Sequence, residues 1–129
     1  MNKLYIIVCG GRHFIDFPLL CDILDNVIGD TKEIEIVSGH CQGADMLGEK
    51  YAEEHDMPVK LFPADWTKYG RRAGPIRNKQ MVDYIKSFDN RIVVAFTNEN
   101  TIGTRNTIAI AKKAKIPVME IPYEPNKEN

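Results

Sequence analysis

The chain is predicted to be an α/β protein: a single domain built on a five-stranded parallel sheet with helices on both faces, forming three layers. Three observations carry this. Leu4-Tyr5-Ile6-Ile7-Val8-Cys9 is apolar or aromatic throughout, the pattern of a strand covered on both sides in the middle of a parallel sheet. Strand-like runs then alternate with stretches of helical periodicity, which implies right-handed βαβ crossovers. Finally, three of the strand ends run into glycine or Gly-Thr loops, and such ends are where open α/β sheets bind ligands.

The first strand enters Gly10-Gly11-Arg12. The glycines allow a sharp turn and a close backbone approach, and Arg12 brings a planar fork of donors suited to phosphate or carboxylate. Pro18 stands where a helix can begin without loss of a hydrogen bond. Leu19, Leu20, Ile23, Leu24, Val27 and Ile28 then form one apolar stripe, closed by Gly29-Asp30. Glu33 to Ser38 predicts a second strand nearer the sheet edge. It opens into Gly39, His40, Cys41, Gln42 and Gly43, after which Ala44 and Asp45 begin a second helix. Asp45 can complement the helix dipole, or it can act at a site by binding a ribose hydroxyl.

Pro58 to Phe62 is a short third strand, left through Pro63, Ala64, Asp65 and Trp66. Residues 67–74 show no apolar period and contain three cations and two glycines, so a long functional loop is expected there. Pro75 is expected to restart a helix. Arg77 and Asn78 fall in its first turn, where a cation opposes the dipole and therefore points to another task, such as holding an anion. Arg91 to Phe96 is a strong fourth strand. It leads through Thr101, Ile102, Gly103 and Thr104 into a helix whose start offers hydroxyls and free N–H groups to a phosphate. Pro117 to Ile121 is the fifth strand. The domain is thus expected to span residues 4–121, with residues 122–129 a polar tail, and to hold four helices.

The chain has 129 residues and a formal net charge of -1, which gives no general excess of cations for nucleic acid. Three cysteines without close pairing favour a reducing, cytoplasmic setting. No apolar stretch reaches the length of a membrane span, so no membrane partner is expected. The dinucleotide fingerprint and the Walker loop are both absent from the sequence. No cofactor and no metal ion is expected: His40 and Cys41 form no supported nucleophile pair, and His13, His40 and Cys41 would need separate loops to converge on a metal.

Gly10-Gly11-Arg12 with Asp16, Gly39 with Gly43-Ala44-Asp45, Pro63-Ala64-Asp65-Trp66, Ala73-Gly74, Arg77-Asn78 with Met81, and Thr101-Ile102-Gly103-Thr104 together resemble the YspA-type branch of the SLOG superfamily, a domain of unknown function common in bacteria and phages. The resemblance runs from the first strand to the fifth. It implies a Rossmann-like fold related to the LOG phosphoribohydrolases, the DNA-processing protein DprA and the ligand-sensing domain of TRPM channels. It also implies binding of a nucleotide or nucleotide-derived molecule at the carboxyl ends of the strands. Relatives that hydrolyse an N-glycosidic bond carry Pro-Gly-Gly-x-Gly-Thr-x-x-Glu, whereas this chain has Asn100-Thr101-Ile102-Gly103-Thr104 and places Thr107 where the glutamate falls. Arg77 matches the arginine of those enzymes.

The expected ligand-binding set is therefore Gly10, Gly11, Arg12, Gly39, Gly43, Ala44, Asp45, Asp65, Trp66, Arg77, Asn78, Thr101, Gly103 and Thr104. A nucleotide-binding sensor or sequestering module needs only these groups. A hydrolase would need a general acid or base besides, for which Arg77, Asp45 and Asp65 are the catalytic candidates. A single-stranded DNA binder would need a basic surface, supplied locally by Arg71-Arg72. A homo-oligomer, most simply a twofold dimer, is also expected, since a long polar segment from Trp66 to Gly74 is of the kind that a neighbouring subunit orders.

Overall fold

The computed structural model describes residues 3–124. β1 (Leu4–Gly10), β2 (Ile34–Ser38), β3 (Val59–Leu61), β4 (Arg91–Thr97) and β5 (Val118–Pro122) form one parallel sheet in the order β3-β2-β1-β4-β5. The expected α/β class and the parallel five-stranded sheet are both observed, and the architecture is Rossmann-like. The unbroken apolar run of β1 is explained by its central place. Ile6 lies opposite both Ile36 of β2 and Ile92 of β4.

Because side chains alternate along a strand, β1 feeds two separate cores. Ile6 and Val8 pack with Leu20, Leu24 and Ile28 of α1 (Phe17–Ile28) and with Ala44, Tyr51 and Ala52 of α2 (Ala44–Glu54). Ile7 and Cys9 pack on the other face with Met81, Val82 and Ile85 of one helix and Ile108 and Ala111 of another. Asp16 caps α1 by accepting the Leu19 amide at 3.1 Å, with Pro18 in the first turn as expected. The Tyr51 hydroxyl donates to Asp25 at 2.6 Å and ties α2 to α1. Burial and that carboxylate together push the phenol pKa upward.

Residues 66–74 differ from expectation. They form α3 (Trp66–Tyr69), a 3-10 turn at Gly70–Arg72, and the start of α4 (Ala73–Lys86), so the described residues hold five α-helices where the sequence predicts four. Asp65 caps α3 by accepting the Lys68 amide at 3.0 Å, and Gly70 ends it in the left-handed region at φ 58°. Elements this short carry no readable apolar period. Pro75 sits inside the first turn of α4, where its missing N–H has no partner to lose.

The chain end differs as well. Pro122, expected to open the tail, instead pairs with Thr97 and closes β5. The Tyr123 amide donates to Thr97 O at 2.9 Å, and its ring meets the edge of Phe14 at 4.9 Å. The rest of the expected tail, from residue 125 on, lies outside the described residues. α5 (Ile102–Lys113) completes the second face. Among the described residues no helix is long and apolar enough to cross a membrane.

From β1 the chain proceeds outward to β2 and β3, then returns to β4 and β5 on the other side. The order therefore reverses between β1 and β4, and a crevice opens at such a switch point beyond the carboxyl ends of the strands.

Candidate functional site

A cavity of about 1230 Å³ occupies that crevice, walled by the β1 end with its following loop, the β2–α2 loop, α3 and the first turns of α4, and the β4–α5 loop. Two glycines allow the walls to close up. At Gly10 a Cβ would stand 2.6 Å from Phe96 O and 2.8 Å from the Ala44 methyl, and at Gly43 (φ 86°) it would run into Gly11 O. The Gly11 carbonyl also accepts the Ala44 amide at 3.2 Å, so the first and second glycine loops are stitched to each other.

Six of the eight buried polar or charged residues among the described ones line this cavity, Ser38 and Thr97 excepted. Arg77 is only 8% exposed. Its Nε donates to Asn78 Oδ1 at 2.9 Å and its Nη1 to Gly39 O at 2.6 Å. Nη2 has no partner among the described residues, and no carboxylate there forms an ion pair with this arginine. No sealed side-chain nitrogen or oxygen lacks a partner among them, so the free Nη2 hydrogens open to the cavity that Arg77 lines. The Asn78 amide in turn donates to Gly103 O at 3.3 Å and Asn106 Oδ1 at 2.9 Å, which brackets α4 against α5 and fixes the arginine.

At the start of α5, Thr101 directs its hydroxyl backward, donating to Asn98 O at 2.8 Å and accepting the Asn98 amide. No side chain caps the helix, and its first residues, Ile102, Gly103 and Thr104, line the cavity. Thr104 and Thr107, both buried, bring their side chains to the cavity wall.

Asp45 is 5% exposed on the same wall. Burial lifts its carboxyl pKa to about 7, with Glu49 adding to the rise. The Cys41 amide, donating at 3.3 Å, and the Arg77 charge offset part of it. Behind this wall Ser38 donates to Glu49 Oε2 at 2.7 Å, and His40 Nδ1 lies 3.0 Å from the same oxygen. Cys41 points instead toward Gly39 O, so His40 and Cys41 do not pair. Among the described residues no group of His, Cys, Asp and Glu is arranged to hold a metal ion.

Of the expected residues, the structure brings Gly10, Gly11, Arg12, Asp45, Trp66, Arg77, Asn78, Thr101, Gly103 and Thr104 to one cavity. Gly39, Gly43, Ala44 and Asp65 do not line it. Gly39 supplies the carbonyl that holds Arg77, Gly43 and Ala44 pack beneath the first loop, and Asp65 caps α3 on the exposed side. Sequence reasoning missed Tyr123, Asn98 and Asn106, which also line the cavity. Tyr123 abuts Gly11, and its hydroxyl is hydrogen-bonded to Asn98. Its one sequence signal is its place directly after an apolar strand run.

A sequence model of the YspA, cpYpsA-related SLOG family matches residues 4–69. The chain belongs to that family. The match spans β1 to α3 and so includes both glycine loops and Trp66. The Gene 61 protein of Mycobacterium phage D29 is 29% identical, over 93% of this chain and 98% of that protein. A crystal structure of a predicted subunit of tRNA methyltransferase from Methanocaldococcus jannaschii is similar in fold, with a TM-score of 0.45 and 13% identity over 93% of this chain and 67% of that one. Within this SLOG chain, Arg77 and Thr107, the two positions expected to correspond to a hydrolase pair, do line the same cavity. Thr107 leaves that wall with a hydroxyl and no carboxylate, and Asp45 is the acid that the cavity holds.

Proposed function

We propose that the protein binds a phosphate-bearing nucleotide derivative in the cavity between β1 and β4, as a sensor or sequestering module. The unpaired guanidinium of Arg77 carries this reading. A buried charge is costly unless paired, and here the free donors open to a cavity beside an uncapped helix start and the side chains of Thr104 and Thr107. An anion completes that set, and phosphate is the anion that such helix ends and planar donor forks hold. The three cysteines are all free, which supports a reducing, cytoplasmic setting.

Thermal-shift screening against nucleoside mono- and diphosphates, ADP-ribose, NAD and cyclic dinucleotides tests it. A ligand at a hundred times its Kd should add about 2.7 kcal/mol of stability. A broad panel that leaves the melting temperature unmoved at millimolar concentration overturns the proposal.

Asp45 favours a second reading, hydrolysis of the bound nucleotide derivative. A carboxyl titrating near 7 in a cleft beside an arginine is suited to general acid–base work. Release of free base from a nucleoside monophosphate, abolished in Asp45→Ala, would establish it. Single-stranded DNA binding would rely on Arg71 and Arg72, which do not line the cavity.

A further inference from the structure

We infer that the ligand lies phosphate-inward, with its anionic group on Arg77 at the floor of the cavity and a planar base at the mouth against Trp66 and Ile102. This rests on the phosphate-binding reading above and adds to it a direction, with the base a bound group at the mouth and the affinity not carried by phosphate or sugar phosphate alone.

The polarity of the cavity sets the direction. Of the groups suited to an anion, Arg77, Thr104 and Thr107 are deep, at 8%, 9% and 1% exposed, while Arg12 is exposed at the rim. Two large apolar side chains of the same cavity are the reverse, Trp66 at 56% and Ile102 at 79% exposed, while Met81 lies buried with the deep groups. Trp66 and Ile102 come from different elements, α3 and the first residue of α5. Trp66 is also held in place. Its Cη2 stands 3.5 Å from where a Gly74 Cβ would be, an ordinary packing distance, so the edge of the indole rests against the start of α4. An indole carried on a capped turn, half exposed at the lip of a polar cavity, offers a π-face to a base, and every base has one.

Size supports the same class. The cavity's volume of about 1230 Å³ is at or above the range of roughly 300–1,000 Å³ in which drug-sized ligands are held. Phosphate on Arg77 would leave nearly all of it empty, and ribose 5-phosphate would leave the two apolar side chains uncovered.

Trp66 is the only tryptophan in the chain, so its emission reports the mouth of the cavity and nothing else. The probes are inorganic phosphate, ribose 5-phosphate, AMP and ADP-ribose, measured by calorimetry and by Trp66 fluorescence. AMP and ADP-ribose should quench Trp66 and bind about ten-fold or more tightly than ribose 5-phosphate, which corresponds to one stacked base. Phosphate and ribose 5-phosphate should leave the emission unchanged. Trp66→Ala should bring AMP down to the affinity of ribose 5-phosphate, which itself should not change, while Trp66→Phe should keep most of the AMP affinity. Arg77→Ala should weaken all four probes.

AMP that binds no better than ribose 5-phosphate, or that binds without altering Trp66 emission, overturns the orientation while leaving phosphate binding standing. Failure of every probe to bind overturns both.

Discussion

Arg77 and Asp45 both close on Gly39, each within 3.0 Å of where a Cβ of that residue would be, and their charges give the residue-scale predictions. Asp45 in the folded chain holds its proton up to about 7, against 3.8 for the unperturbed group. Its contribution to stability is complete below 3.8 and is lost as pH rises through about 7, because the folded state binds the extra proton in that window. Asp45→Asn keeps an acceptor for the Cys41 amide and removes the titration. Urea unfolding at pH 5 and pH 8 should therefore differ less in this variant than in the wild type. For Arg77, Lys retains the charge but cannot hold Asn78 Oδ1 and Gly39 O while also facing the cavity, so Arg77→Lys should lose ligand affinity nearly as far as Arg77→Ala. Calorimetry on the two variants decides it.

At the scale of elements, the two glycine loops act as one unit, and Gly43 is where they touch. A side chain there would strike Gly11 O and the Arg12 backbone from a left-handed conformation. Gly43→Val should destabilise the protein by more than about 1 kcal/mol, with a lower denaturation midpoint and weaker ligand binding together. Asp65 belongs to a different element-level effect. It caps α3, so Asp65→Ala should cost about 1 kcal/mol and change ligand affinity only through Trp66. A loss of affinity for ribose 5-phosphate in that variant would contradict the capping role. The α3–α4 segment also marks how far elements can be read from sequence. Helices as long as α1 show their stripe in the order of residues, whereas α3 and the 3-10 turn depend on a cap, a glycine and docking against α4.

For the whole molecule, the segment expected to need a partner subunit is folded within the chain, so that ground for self-association is gone. We retain the twofold dimer as a proposal on another ground. The two edge strands leave Leu61 of β3 and Met119 of β5 exposed at 43% and 37%, and unpaired edges with apolar side chains tend to associate. Light scattering at tens of micromolar should return twice the monomer mass, and a monomer mass would count against the dimer.

The parallel sheet, the alternation of its strands with the longer helices, and the glycine and Gly-Thr loops were legible from sequence alone, because apolar periodicity and turn chemistry are local properties of the chain. So was the place of Thr104 in the first turn of its helix, whereas Arg77, expected in a first turn begun by Pro75, lies one turn further in because α4 already starts at Ala73. The tertiary structure alone decided which of these residues share a wall. Gly39, Gly43 and Ala44 were sorted into the supporting layer, Tyr123 was brought from beyond β5 to Gly11, and Arg77 was left with free donors. Those outcomes depend on the switch between β1 and β4 and on burial across strands far apart in sequence, and no local pattern records either.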